Sequence, residues 1–127
     1  MNVAVICTAL LGLLLFGLGF YVSLQRRENR RSIGYDPSPA DPLHRAVRAH
    51  ANTAEYAPFF AVLFLWYATK PAPTWILATI VLATVARFAI AEALLAGPMN
   101  RPNPARLFGA LFTYLTGLAL AVGLLVI

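Results

Sequence analysis

The sequence predicts an all-α membrane protein, a bundle of four transmembrane helices running up and down within a single domain, residues 1–127. Two observations carry that prediction. Hydrophobic residues make up 60% of the chain and charged residues 12%, against roughly 25% charged in an ordinary soluble domain, so there is too little polar surface to cover a water-soluble globule. The apolar residues also fall in four blocks, about Val3 to Leu24, Ala49 to Thr69, Thr74 to Ala96 and Leu107 to Ile127. Each approaches or exceeds the roughly 20 residues that cross a hydrocarbon core about 30 Å thick as a helix. None alternates as a transmembrane strand would. In lipid the backbone must satisfy its own hydrogen bonds, which makes such runs helical.

The first run has no basic start and ends in Arg26-Arg27, where a cleaved leader would carry small residues. It reads as a retained helix, and its Gly12, Gly17 and Gly19 as places for close helix contact. Cys7, the only cysteine, reads as a small buried or lipid-facing side chain. The first loop, about Gln25 to Asp41, holds Arg26, Arg27, Arg30 and Arg31, and the third, Gly97 to Pro104, holds Arg101 with Arg106 just beyond. The second offers only Lys70. The positive-inside rule therefore places loops one and three in the cytoplasm and both termini outside. Membrane anchoring accounts for the basic residues, with contact to anionic head groups, and no nucleic-acid partner is expected.

Asp41 before Pro42 is the N-cap and first position of the second helix, which starts two turns ahead of its apolar part. Lys70-Pro71-Ala72-Pro73 is too short to do more than turn the chain, so helices two and three are antiparallel neighbours. Trp66, Tyr67 and Trp75 flank this turn as an interfacial belt. In the fourth helix Gly109, Thr113 and Gly117 recur every four residues, a stripe for close packing.

Ionisable and amide side chains within these spans are the candidate functional residues, because such groups are costly in lipid and face an interior or a wet cavity. His44, Arg48, Asn52 and Glu55 are spaced four, four and three apart and share one stripe, with His50 nearly opposite. The stripe suits a zwitterionic, peptide-like ligand, or equally an interhelical polar network. Arg87 lies deep in the third helix and needs a partner, for which Glu55 is the natural carboxylate. Glu92 lies on another face and points toward the interface or another subunit. Arg106, at the mouth of the fourth helix, is the group best placed to stabilise an anion. No phosphate loop, zinc-ligand spacing or nucleophile elbow is present. The two histidines, six residues apart, do not stack on one helical face, so no metal is expected.

Arg48-Ala49-His50-Ala51-Asn52-Thr53-Ala54-Glu55-Tyr56-Ala57-Pro58 resembles the second-helix signature of the membrane-associated proteins in eicosanoid and glutathione metabolism, the MAPEG superfamily. The short second loop, Arg87, and Arg106-Leu107-Phe108-Gly109 with Thr113 extend the likeness over nearly the whole chain, most closely to the short bacterial members. The resemblance implies a homotrimer in the bacterial inner membrane. It implies glutathione, as co-substrate, bound between subunits by Arg48, Asn52, Glu55 and Arg87, and a thiolate stabilised by Arg106. The implied activity is transfer to, or peroxidase-type chemistry on, a lipophilic small molecule. The sequence departs from the pattern at Ala51, Ile90, Leu94 and Leu107, which keeps open a non-catalytic relative that binds lipid or another small thiol. A small transporter is a third reading, weakened because helix one lacks the carboxylate such proteins carry there.

Overall fold

The computed structural model describes residues 2–127. Four helices follow one another: α1, Val3–Glu28; α2, Pro42–Ala68; α3, Thr74–Ala96; and α4, Pro104–Val126. The described residues contain no strand.

The ends of the helices follow from local chemistry. α1 runs a turn beyond its apolar block, because nothing in Gln25–Glu28 breaks a helix and Arg26 and Arg27 in the last turn oppose the negative end of its dipole. It stops in a Schellman arrangement: the Arg30 N–H donates to Arg27 O and the Arg31 N–H to Arg26 O. Arg30 takes the left-handed position, φ 49°, usually held by glycine. As expected, Asp41 caps α2, its Oδ2 accepting the His44 N–H at 2.7 Å, and Pro42 occupies the first turn. Asn103 Oδ1 accepts the N–H groups of Ala105 and Arg106 to open α4, so this helix begins three residues before its apolar run. α2 continues through Pro58, whose ring removes one helical donor.

Packing makes a folded row more than a closed square. α1 lies along α2, α2 and α1 both meet α3, and α4 packs along α3, touching α2 only sparsely and α1 not at all among the described residues. α1 and α2 are antiparallel: Asn2 Nδ2 donates to Ala68 O at one end, and His50 sits over Gly19 near the other. Gly19 is the glycine of α1 that meets a neighbour. Gly12 and Gly17 meet no neighbour within the chain, so inside the bundle Gly19 alone of the three mediates close contact. Gly109 does allow one, bringing α4 onto the Ala86 carbonyl and Ile90 of α3. The Met99 N–H donates to Pro39 O at 3.2 Å, tying loops one and three together at the same end of the bundle.

Two apolar clusters fill the interior. One, near the second loop, gathers Phe60, Leu63, Phe64, Tyr67, Ile76, Ile80 and Leu120. The other, near the arginine-rich end, gathers Leu18, Ala49, Ile90, Ala91 and Leu94. A buried polar layer, Thr53, Thr84, Arg87, Thr113 and Thr116, lies among them. Outside, Phe16 is 79% exposed and Leu118 66% exposed, unfavourable in water and suited to lipid. α1, α3 and α4 are each long and apolar enough to cross a membrane. α2 is as long, but its polar first half keeps it outside that class. The chain is an integral membrane protein.

Candidate functional site

The centre of the site is Arg87, whose side chain is completely buried. Its Nη2 donates to the main-chain O of Asn52 at 2.9 Å and to Asn52 Oδ1 at 2.7 Å. Its Nη1 donates to Thr113 Oγ1 at 3.2 Å, and that hydroxyl donates in turn to Gly109 O. The guanidinium carbon stands 5.1 Å from the centroid of the Tyr56 ring, close enough for attraction to its face. One side chain of α3 thus ties α2 to α4. The expected partner, Glu55, is not the one used. The buried seam of α2 runs through Ala49, Thr53, Ala57 and Phe60. Asn52 borders that seam, whereas Glu55 is exposed. The guanidinium is held by neutral oxygens, and its Nε, like the buried Thr53 Oγ1, has no partner.

Beside this knot α2 and α4 lean apart. They rejoin farther along, where Tyr67 Oη donates to Leu120 O at 2.7 Å beside Gly123, which leaves room for the phenol. Between lies a groove of about 510 Å³. Glu55, Tyr56, Thr113 and Tyr114 line its polar end, with the two tyrosine rings edge to face at 6.1 Å. Phe59, Phe60, Leu63 and Leu118 line its apolar length. Phe59 and Tyr114 are exposed on its rim, so the groove opens sideways into the surroundings. Such a shape accepts an amphiphile, polar group toward Glu55 and the tyrosines, hydrocarbon toward the phenylalanines.

The other predicted site residues lie apart from the Arg87 knot. Arg48 is exposed on the outer face of α2. Arg106 is half-buried and donates from Nη1 to Met99 O at 2.6 Å, which folds it into loop three. There it lines a shallow depression with Leu107 and Ala110. The arrangement therefore unites Arg87 with Asn52, sets Glu55 at the groove, and places Arg48 and Arg106 outside both.

Arg45 was not singled out from the sequence. Its Nη1 donates to Leu95 O at 3.1 Å, holding the end of α3. The available signal was its spacing, four residues before the buried Ala49, which puts it beside the α2 seam. Tyr67, read as an interfacial aromatic, is buried and anchors α4.

Asn52 of the α2 motif, the buried arginine of α3 and the Thr113–Gly109 turn of α4 form one connected unit, and the sequence matches the MAPEG family over residues 4–126. The chain belongs to the MAPEG family. Its broad assignment is thereby to membrane proteins related to glutathione and eicosanoid metabolism. Comparison with curated proteins and with solved structures yields no match. In this MAPEG protein, Ile90 and Leu94, two of the positions read above as departures from the family pattern, are buried in the apolar cluster with Ala49.

Proposed function

We propose that the protein is a glutathione-dependent transferase or peroxidase-type enzyme acting on lipophilic molecules, working as a homotrimer in the bacterial inner membrane. In this reading α2 is the fourth membrane crossing, loops one and three are cytoplasmic, and both termini lie outside. The observation that carries the proposal is the groove between α2 and α4. Its polar end abuts the buried Arg87–Asn52–Thr113 unit, and its apolar length opens toward lipid. That geometry brings a membrane-dissolved substrate beside a polar, membrane-buried site.

Glutathione is a zwitterionic tripeptide. Bound between adjacent copies, it would meet the exposed Arg48 with a carboxylate and Asn52 and Glu55 with its amide and amine groups, while the buried Arg87 would hold Asn52 in place and Arg106 would stabilise the thiolate. A free thiol has a pKa near 8.5 and only its thiolate is strongly nucleophilic. A guanidinium within hydrogen-bond reach favours the anion, and exclusion of water strengthens the effect. Attack on an electrophilic carbon then forms a carbon–sulfur bond, either as that carbon's bond to a leaving group breaks and the group departs with the electron pair, or as a conjugated double bond breaks and the resulting carbanion takes a proton from water.

Titration calorimetry of glutathione into detergent-purified protein tests this. Saturable binding is expected in wild type and is lost in Arg48→Ala. Arg106→Ala retains binding while the thiolate absorbance disappears. An intact assembly that binds no glutathione would reject the proposal.

A second reading is supported by the engagement of both Arg87 terminal nitrogens by Asn52 and Thr113 and by the apolar Ile90 and Leu94. In that reading the fold binds a lipid or another small thiol in the groove without turning it over. Saturable binding without conjugation of any electrophile would favour it.

A further inference from the structure

We propose that the α2–α4 groove receives amphiphiles whose head group is a positively charged nitrogen, long-chain alkylammonium compounds, and turns away fatty acids and other anionic amphiphiles. The inference rests on the groove being a ligand site, which both functional readings above share, and does not require that glutathione be bound.

The lining of the groove holds one charged group, the Glu55 carboxylate, and no cation. Glu55 is exposed. It lies six residues on from Ala49, about 9 Å along α2 from the start of the apolar run. With α2 crossing the membrane, a carboxylate at that depth is costly unless a cation meets it. Arg87, in the adjoining polar knot, does not serve. Its Nη1 and Nη2 donate to Thr113 and Asn52, and its side chain is completely buried. An anionic head group entering the groove therefore meets a like charge and no accessible cation.

The remaining groups at this end suit an ammonium. The Tyr56 and Tyr114 rings stand edge to face beside Glu55. Phe59 follows Glu55 by one turn on the same side of α2. Tyr114 is 55% exposed and Phe59 62% exposed, so both rings are open to a ligand. Aromatic rings attract the groups around a positive nitrogen, more strongly where water is excluded, and the carboxylate supplies the opposite charge. The hydrocarbon tail then lies along Phe60, Leu63 and Leu118. The Arg87 charge opposes a cation only from beyond the groove wall, whereas Glu55 meets it in contact, and Coulomb energy falls with distance. Glutathione also carries an ammonium. Where it binds, its amino group and that of the amphiphile contend for Glu55, so the amphiphile lowers the apparent affinity for glutathione.

The test uses the full-length chain in phosphatidylcholine nanodiscs, titrated by calorimetry without glutathione. Three amphiphiles of one chain length are compared: dodecyltrimethylammonium, dodecanol and dodecanesulfonate. Empty nanodiscs supply the partitioning background. The ammonium should bind saturably and at least about tenfold more tightly than the sulfonate, with the alcohol between them. Glu55→Gln should weaken the ammonium by about tenfold or more and strengthen the sulfonate. Tyr114→Leu, which keeps the hydrocarbon wall, should weaken the ammonium several-fold and leave the alcohol unchanged. Both side chains are exposed, and an unaltered thermal unfolding transition verifies that the variants fold. A sulfonate that binds as tightly as the ammonium overturns the proposal. So does an ammonium that fails to saturate wild type, or an unchanged preference in Glu55→Gln. If glutathione binds and the ammonium does not, this inference alone fails. If the ammonium binds and glutathione does not, the glutathione reading alone fails.

Discussion

Arg87 carries a full positive charge into the middle of the bundle, and its acceptors are an amide oxygen, a main-chain carbonyl and a hydroxyl. Removing one of these leaves a buried N–H unpaired, which costs more than the bond itself returns. Asn52→Ala is expected to lower unfolding free energy by about 1.5–3 kcal/mol, and Thr113→Val by about 1 kcal/mol, measured by denaturation in detergent. Asn52→Ala combined with Arg87→Met should cost less than the sum of the two single changes, since no charge is then stranded. That Arg87 needed an interior partner was legible in the sequence. That the partner is Asn52 and not Glu55 was not. The two residues differ by about 60° around α2, and choosing between them requires the rotation of the helix about its axis. That rotation is set by how Ala49, Thr53 and Ala57 pack, a tertiary property with no local signature.

The helices differ in how closely they tolerate one another. A Cβ at Gly109 would lie 2.6 Å from Ile90 Cβ and 2.8 Å from Ala86 O, neither of which can rotate away. Gly109→Ala should therefore cost about 1–3 kcal/mol, and Ile90→Ala should not rescue it, since the obstructing Cβ remains. Gly17→Ala, with nothing nearby, should be neutral or stabilise by up to about 1 kcal/mol through helix propensity. Arg30→Gly should likewise stabilise or leave unchanged the end of α1, because glycine adopts the left-handed position without strain. Thermal unfolding in one detergent compares all three. The bounds of α3 were legible from composition, as was the start of α2 from Asp41-Pro42. Which glycines touch a neighbour was not, because a glycine within an apolar run reads the same whether it faces open space within the chain, as Gly12 and Gly17 do, or a backbone, as Gly109 does.

For the molecule as a whole, the Met99–Pro39 hydrogen bond puts the two arginine-bearing loops at one end. Cysteines introduced at Ser32 and Asn100 should react with an impermeant reagent from the same side of the membrane, and one at Ala72 from the other. Replacing Arg26, Arg27, Arg30 and Arg31 by glutamine should mix the two orientations, because those charges set the direction of insertion. All four helices were legible as apolar runs, α2 included once Asp41-Pro42 is read as its start, although by length and composition α1, α3 and α4 alone are apolar enough to cross a membrane. The folded-row arrangement was not legible, since loop lengths fix which helices are adjacent in sequence and leave free the side on which α4 settles. That side leaves the α2–α4 groove open on the flank of the bundle, which in the proposed function faces the bilayer. Anything that occupies it arrives by two-dimensional diffusion, so occupancy follows the number of ligand molecules per lipid and not the amount per litre. At fixed total ligand, adding empty vesicles should lower the apparent affinity of a lipophilic compound in proportion to the added lipid, while a water-soluble ligand is unaffected. Surface dilution of this kind would distinguish the two classes of ligand before either is identified.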